Sequence, residues 1–249
     1  MPKYKRFVVV ADNHGDMQDD ESVAALWSFM EDFKPHIRVH LGDNWDFRNL
    51  RKGASDDEKA HSLEDDWVMG NDFVRKFFNS GRENYFLNGN HCSRASYMVN
   101  SCIGMNRDYA RDAVKRMESM FKKSRATVLP YDSALGVLTL GKLSMVHGYH
   151  AGVGAARAHA AVYGNCLFGH VHTIESSPVS SLAPAEARSI GCLCKRDMDY
   201  INAKTGKLRW ANGWAYGLLF ADGSYHLEQV RKINGKFYAA KNIEEIIVR

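Results

Sequence analysis

The sequence has few features of a secreted or membrane-embedded protein. It contains five cysteines, an odd number without a regular disulfide framework, which favours a reducing compartment. No apolar run approaches the roughly 20 residues that a membrane-spanning helix needs. The apolar run 7–10 lacks the length and the cleavage site of a secretory signal. We therefore expect a cytoplasmic protein without membrane contact, in the cytoplasm of a host cell if a phage encodes it.

An excess of charge of one sign is also missing. The 33 Lys and Arg residues against 29 Asp and Glu give a formal net charge of +4. A balance this mild permits an anionic substrate but does not require nucleic acid as a partner. No linker and no internal repeat divides the 249 residues, which are enough to bury a substantial core. We predict a single domain over residues 1–249.

Three strand–loop–helix units are predicted in the first half of the chain. The strands are 7–10, 37–41 and 84–87. Acidic residues at 19–21 mark a helix that runs to about Phe33, and the capping box from Ser55 to Glu58 opens a long helix to about Phe78. A polar motif follows each strand. Because open α/β sheets carry their ligand sites at the carboxyl ends of strands, we expect these motifs to converge.

The second half is predicted to form a second sheet. Helices are expected at 106–123 and 153–163, with a hairpin of 136–140 and 142–146, and a strand at 165–168. The Ser-, Pro- and Ala-rich segment 176–187 is interpreted as a surface loop. An antiparallel meander is predicted from 188–193, 208–220, 224–230 and 236–239, with a turn at Asp222-Gly223. The two halves are expected to supply two sheets, packed face to face with helices outside.

Five short polar motifs, each after an apolar run, carry the functional information. They are Asp12-Asn13-His14, Gly42-Asp43-Asn44-Trp45-Asp46, Gly89-Asn90-His91, His147-Gly148 and Gly169-His170-Val171-His172. Alone, each residue is as well explained by a turn, a helix cap or core packing. Together they offer enough oxygen and nitrogen donors for two metal ions a few Å apart.

Seven residues of these motifs are candidate metal ligands. They are Asp12, His14, Asp43, Asn90, His147, His170 and His172. Three oxygens and four imidazole nitrogens, with no thiolate, suit Mn, Fe, Zn, Co or Ni. They disfavour a Ca or Mg site built from oxygen alone.

The order of the motifs resembles the signature of the calcineurin-like metallophosphoesterases, from Asp12 to His172. The resemblance implies a four-layer α/β/β/α sandwich of two mixed sheets flanked by helices, with two divalent metal ions, Mn favoured, at the sheet edge. It assigns one metal to Asp12, His14, Asp43 and His172. It assigns the other to Asp43, Asn90, His147 and His170, so that Asp43 bridges.

The resemblance also implies hydrolysis of phosphate esters, most of all phosphodiesters. Two metals lower the pKa of a shared water, which supplies a nucleophile near neutral pH. His91 is not in the implied ligand set; it would stabilise the transition state or protonate the leaving oxygen. Asp46 resembles the carboxylate that orients this histidine.

Two positions depart from the family pattern. Cys92 stands where an acid usually follows Gly-Asn-His, and the segment 46–48 lacks the glycine of the protein-phosphatase branch. The second departure argues against a Ser/Thr protein phosphatase. The compact chain is closer to small phosphodiesterases and to phage or bacterial enzymes.

Several further residues have weaker signals. Arg48, Arg94 and Arg107 could bind a phosphate, although solvation explains each of them as well. His150 could line the cleft or could serve packing. Trp45 could edge the cleft or lie in the core.

Two other functions stay open at this stage. A nuclease of the DNA-repair type would need a basic groove, and helix 106–123, which also carries acids, is the candidate. A catalytically silent metal-binding scaffold is usually missing ligands or the histidine at His91, and neither is missing. The oligomeric state is left open.

Overall fold

The computed structural model describes residues 4–51, 53–60, 62–78, 82–180, 183, 185–196 and 209–240. Its strands are β1 (Tyr4–Val10), β2 (Ile37–His40), β3 (Glu83–Leu87), β4 (Ala126–Leu129), β5 (Leu138–Leu140), β6 (Leu143–Val146), β7 (Cys166–Phe168), β8 (Ile174–Val179), β9 (Ala185–Ile190), β10 (Gly213–Phe220), β11 (Tyr225–Ile233) and β12 (Lys236–Phe237). Its helices are α1 (Asp20–Phe33), α2 (Asp56–Ala60), α3 (Leu63–Phe77), α4 (Ser93–Ser101), α5 (Met105–Lys123) and α6 (Ala155–Tyr163), with short 3-10 turns at Gly15–Met17 and Arg48–Leu50.

Two mixed sheets form the centre of the molecule. The first has seven strands in the order β12-β11-β10-β1-β2-β3-β4, and the second has five in the order β5-β6-β7-β9-β8. The described residues include no helix long and apolar enough to span a bilayer.

The alternation of side chains along β1 explains how the layers stack. Val8 and Val10 pack on one side with residues of α1, α3 and α5, whereas Phe7 and Val9 pack on the other with residues of β6 and β7. Helix α6 covers the far face of the second sheet, where Ala160 joins the cluster around Phe168 and others. The predicted α/β fold of two mixed sheets flanked by helices is confirmed.

Parallel pairing aligns the ends of the strands that precede the motifs. β1 pairs with β2, β2 with β3 and β3 with β4, all parallel. In the second sheet β6, β7 and β9 are also parallel neighbours. The first three motifs therefore leave adjacent strands of one sheet, and the last two leave adjacent strands of the other. A hydrogen bond connects the motifs of the two sheets, because the backbone N–H of His170 donates to Asp12 Oδ2 over 2.8 Å.

The prediction of one long helix from Ser55 to Phe78 is wrong, because the segment forms two helices. The capping box forms, because Ser55 N–H donates to Glu58 Oε2 over 2.7 Å, but the helix it opens ends at Ala60. A second helix begins after Ser62, whose side chain accepts the Glu64 N–H. A second N-cap inside a helical pattern ends one helix and starts another.

The interpretation of 176–187 as a surface loop is also wrong. Residues 176–179 and 185–187 belong to the antiparallel strands β8 and β9. Pro178 lies in β8, which is at the edge of the second sheet, and an edge strand tolerates a residue without an N–H donor. Helix α4 and strand β4 were not predicted.

The predicted meander is divided between the sheets. Segment 188–193 begins in β9 of the second sheet, whereas β10, β11 and β12 extend the first sheet through antiparallel pairing of β10 with β1. Residue 208, the predicted start of one strand, lies outside the described residues. The halves of the chain therefore do not map onto separate sheets.

Candidate metal centre

Most of the seven candidate ligands have a left-handed backbone. The φ angles are 55° at Asp12, 53° at His14, 51° at Asp43, 67° at His170 and 57° at His172. Non-glycine residues rarely adopt this conformation, and it persists only where surrounding structure enforces it. Backbone hydrogen bonds between the first two motifs do so here, because Asp12 N–H donates to Gly42 O and His14 N–H to Asp43 O, both over 3.0 Å.

The first cluster contains Asp12, His14 and His172. His14 Nε2 lies 3.2 Å from His172 Nε2, and Asp12 Oδ1 lies 3.8 Å from the same nitrogen of His172. His14 Nδ1 donates to Asp46 Oδ1 over 2.9 Å, so the lone pair of the neutral ring is on Nε2. Burial lowers the pKa of both histidines, which keeps both rings neutral. Two neutral imidazoles facing each other in this way can share a cation.

The second cluster contains Asp43, Asn90, His147 and His170. Asn90 Oδ1 lies 3.0 Å from His147 Nε2 and 2.9 Å from His170 Nδ1. His147 Nε2 lies 3.2 Å from Asp43 Oδ2, while its Nδ1 contacts the Leu41 carbonyl at 2.9 Å. Burial alone would lower the pKa of His147, but the carboxylate of Asp43 raises it to about 9. A positive charge is therefore favoured between these oxygens, a position that a divalent cation can take.

A buried oxygen without a donor supports a metal at the first cluster. Asp12 Oδ1 has no hydrogen-bond partner among the described residues, although Oδ2 accepts the His170 N–H. Burial raises the pKa of Asp12 to about 7. An uncompensated buried carboxylate oxygen is costly, and a cation offsets that cost. The donor atoms present therefore fit divalent metals held by mixed oxygen and imidazole ligands.

Gly89 of the third motif is required by close packing. A Cβ at this position would clash with Oδ1 and the backbone nitrogen of Asp43. Because glycine has no Cβ, the third motif can approach the second, and the backbone N–H of His91 donates to Asp43 Oδ1 over 2.8 Å. The carboxylate that is shared by both predicted metals is fixed by this contact.

His91 lies beside the clusters and is oriented by Asp46. His91 Nδ1 donates to Asp46 Oδ1 over 2.7 Å, the same oxygen that holds His14. His91 Nε2 lies 4.0 Å from Asp43 Oδ2. Burial alone would lower the pKa of His91, but Asp43 and Asp46 raise it. The carboxylate of Asp46 thus orients both His91, whose imidazole can be protonated, and the candidate ligand His14.

Arg48 and Arg94 both lie at the site. The Arg48 guanidinium is paired with Asp16 and donates to Asp46 Oδ2 over 3.3 Å. Arg94 Nη1 donates to the Asp46 carbonyl over 2.7 Å, and its Nη2 lies 3.2 Å from His91 Nε2. Arg48 is therefore directed towards acids, whereas Arg94 lies next to the imidazole that a substrate would meet.

Among the described residues, no hydrogen bond or ion pair joins Arg107 or His150 to the motifs. Arg107 Nε donates to Cys102 O, in the connection between α4 and α5. His150 is exposed, and its ring centroid lies 5.2 Å from that of His159. Trp45 is fully buried in the core, so it does not edge a cleft.

Cys92 occupies the position of the usual acid without its charge. Burial raises the pKa of its thiol to about 12, and the backbone N–H groups of Asn44 and Trp45 point to it. A neutral sulfur is a weak acceptor for these N–H groups, and Cys92 is fully buried.

Asp66 of α3 is a positioning residue that the sequence did not reveal. Its carboxylate accepts the N–H of Asp46 over 3.0 Å and that of Phe47 over 2.7 Å. Burial raises its pKa to about 7. In the sequence it follows two other acids, Glu64 and Asp65, at a helix start, and nothing distinguishes the buried one.

A buried donor chain of His40, Asn13 and Asn44 links the first two motifs. Gly42 N–H donates to His40 Nδ1 over 3.0 Å, which places the ring proton on Nε2, and Nε2 donates to Asn13 Oδ1 over 2.8 Å. Asn13 Nδ2 donates to Asn44 Oδ1 over 3.1 Å, and Asn44 Nδ2 donates to Gly70 O over 3.0 Å. The Gly42 N–H therefore fixes the donor and acceptor roles along the whole series of hydrogen bonds.

Cys194 contacts a candidate ligand from behind. Its Sγ lies 3.7 Å from His172 Nδ1, on the opposite side of the ring from Nε2. In the sequence, Cys192 and Cys194 could suggest a metal site, but alternation along a strand, with both side chains on one face, explains the pair better. Both are buried, and they pack with Met17 and Trp210. The thiol can hold the His172 tautomer that leaves Nε2 free to bind a metal.

We predict that Cys194→Val weakens metal binding at the first cluster by roughly 10- to 100-fold, the usual effect of losing a side chain that orients a metal-binding histidine. Cys194→Ser should retain most of the affinity, since a hydroxyl also accepts from Nδ1. Titration calorimetry with Mn²⁺ would measure both variants. Cys192→Val is the matched control, because in the described structure its sulfur contacts the carbonyls of Cys194 and Ala211 and the Asn212 amide rather than His172. Equal affinities for all three variants would exclude this role for Cys194.

Comparison with known proteins finds similarity in structure only. No protein-family model matches the chain, and no curated protein matches it. A metallophosphoesterase from Sphaerobacter thermophilus is similar over 91% of this chain and 88% of its own, at 15% identity and a TM-score of 0.43. YfcE, a phosphoesterase from E. coli, is similar over 90% and 98%, at 13% identity and 0.43. Vps29 from Entamoeba histolytica, complexed with zinc, is similar over 94% and 96%, at 12% identity and 0.46. Similarities with identities and TM-scores this low do not indicate a function.

Proposed function

We propose that this chain is a calcineurin-like metallophosphoesterase that hydrolyses phosphate esters, most of all phosphodiesters, with two divalent metal ions. The observation that carries the proposal is the convergence of all seven candidate ligands into two clusters that meet at Asp43, with His91 beside them. Asp43 Oδ2 lies 3.2 Å from His147 Nε2 and 4.0 Å from His91 Nε2. A donor atom of Asp43 lies within 4.8 Å of those of His14 and His91, and within 4.8 Å of those of His147 and His170, so this carboxylate adjoins ligands that would hold both metals.

The metals are proposed to be held as the motifs imply, with Mn favoured and Fe, Zn, Co or Ni as alternatives. Asp12, His14, Asp43 and His172 would hold one, and Asp43, Asn90, His147 and His170 the other. When bound, two such cations lower the pKa of a shared water and offset the charge of the phosphoryl group.

The protein groups around the metals have separate proposed roles. Asp46 holds Nδ1 of His91, which directs Nε2 towards the substrate side of Asp43. From there His91 would protonate the leaving oxygen or stabilise its developing charge. Arg94, 3.2 Å from that nitrogen, would contact a phosphoryl oxygen.

Duplex DNA is a less favoured substrate. The basic face of α5 is partly neutralised, because Arg111 lies 3.5 Å from Asp108 and Arg116 lies 2.7 Å from Asp112. A groove that follows a nucleic-acid backbone needs unpaired cations along its length.

A catalytically silent metal-binding scaffold is also disfavoured, since each candidate ligand and His91 is present in the site.

All five cysteines are free thiols, which supports the proposal of a cytoplasmic location.

We expect hydrolysis to depend on added metal and to be faster with Mn²⁺ than with Mg²⁺. The four imidazole donors favour borderline metals over hard, oxygen-preferring ones. The test compares p-nitrophenyl phosphate with bis(p-nitrophenyl) phosphate after exhaustive chelation and after return of each metal. The proposal requires faster turnover of the diester. Full activity in the chelated protein would refute the metal mechanism.

A further inference from the structure

Tyrosine side chains extend the candidate metal centre on one side. Tyr131 follows β4, and its ring packs edge-on against His147, with centroids 5.6 Å apart at an angle of 78°. It also stacks with Tyr149 at 5.1 Å and 26°. Tyr131 is only partly buried, so an aromatic surface begins directly beside a candidate ligand.

Helix α4 carries a second tyrosine towards the same place. Its first turn bears Arg94, which contacts Asp46 and His91. Tyr97 is three residues later and hence on the same helix face, with 57% of its surface exposed. Arg94 contacts His91, and Tyr131 packs on His147. His91 Nε2 and His147 Nε2 lie 4.0 and 3.2 Å from Asp43 Oδ2, so both tyrosines adjoin side chains that surround the same carboxylate.

We propose that Tyr97 and Tyr131 form a subsite for a planar aromatic ring carried by the substrate, and that they determine specificity. The proposal rests on the proposed phosphoesterase function. It narrows the substrate class to phosphodiesters in which the group retained on phosphorus bears an aromatic ring, either an aryl ester or a nucleoside. Phenol rings stack on such groups.

Three diesters with one leaving group test the subsite. Methyl p-nitrophenyl phosphate, bis(p-nitrophenyl) phosphate and the p-nitrophenyl ester of thymidine 5′-phosphate all release nitrophenolate and differ in the retained group. We expect kcat/KM of the Mn²⁺-loaded protein to be roughly tenfold higher for either aromatic ester than for the methyl ester, the effect of one stacked ring. Preference for thymidine over nitrophenyl would identify nucleotides as the source of the ring, and the reverse would identify aryl esters.

Two variants assign the preference to the tyrosines. Tyr97→Ala and Tyr131→Leu should each reduce the ratio of aromatic to methyl kcat/KM towards one. Tyr97 is mostly exposed, so its variant tests the subsite even if Tyr131→Leu folds poorly. Tyr238→Ala, 65% exposed beyond β12, is the control and should retain the wild-type ratio.

The two proposals fail in different ways. Equal kcat/KM for all three esters in the wild-type protein, or an unchanged ratio in Tyr97→Ala, would overturn the subsite and leave the phosphoesterase intact. Metal-independent or absent hydrolysis of every ester would overturn the phosphoesterase itself.

Discussion

Asp43→Asn is expected to lower both metal content and turnover to background. Asp43 is the one candidate ligand proposed to bind both metals, and its Oδ2 lies 3.2 Å from His147 Nε2 while its Oδ1 accepts the backbone N–H of His91. Burial alone would raise the pKa of Asp43, but His147 and His91 lower it well below the ordinary value, so the group contributes a full negative charge. An amide removes that charge from both metals. Metal analysis and the diester assay, on the same preparation, measure the two losses.

Asp65→Asn is the matched control for this substitution. Asp65 is exposed on α3, one residue before the buried Asp66, and its change should leave metal content and rate as in the wild type. A bridging role also requires that both metals are weakened together. An Asp43→Asn protein with two tightly bound metals and normal turnover would show that Asp43 does not bridge.

His91→Asn is expected to retain both metals and to lose roughly 10²- to 10⁴-fold in rate, as is usual for a general acid or base. The side chain of His91 is held by Asp46 and contributes no atom to the proposed ligand sets. The loss should be larger for a diester with an alkyl leaving group than for one with nitrophenolate, because a good leaving group needs less protonation. Rates on the two esters, with metal content alongside, provide the measurement.

Three outcomes of the His91 experiment are distinct. Equal losses on both esters would indicate electrostatic stabilisation rather than proton transfer. Loss of metal would make His91 a ligand. A normal rate would remove it from the reaction altogether. His226→Asn, at a partly exposed position of β11 paired with Glu228, controls for a general effect of replacing a histidine.

Local sequence predicted the elements that place the candidate site. Continuous apolar runs identified β1, β2 and β3, and the motif after each is at the common edge because those strands are parallel neighbours. Periodicity did not predict which sheet β10 would join. Pairing of β10 with β1 joins residues more than 200 positions apart, and no local pattern encodes it.

The residues that support the candidate ligands were harder to predict than the ligands. Asp66 and Cys194 reach Asp46 and His172 only through the fold, from α3 and from the segment after β9. A pattern of spacing identifies donor atoms within one motif, but it does not show which distant side chain orients them. Arg48 illustrates the reverse case, since its position suggested a phosphate ligand while its charge is directed to Asp16.

The buried donor chain has a consequence for how this sequence can vary. Each side chain in it accepts from one neighbour and donates to the next, so reversing a single member leaves two donors or two acceptors facing each other. A homologue that lacks His40 must therefore supply another donor to Asn13 or replace Asn13 as well. We expect substitutions at His40, Asn13 and Asn44 to occur as correlated sets, although none of the three is proposed to touch metal or substrate.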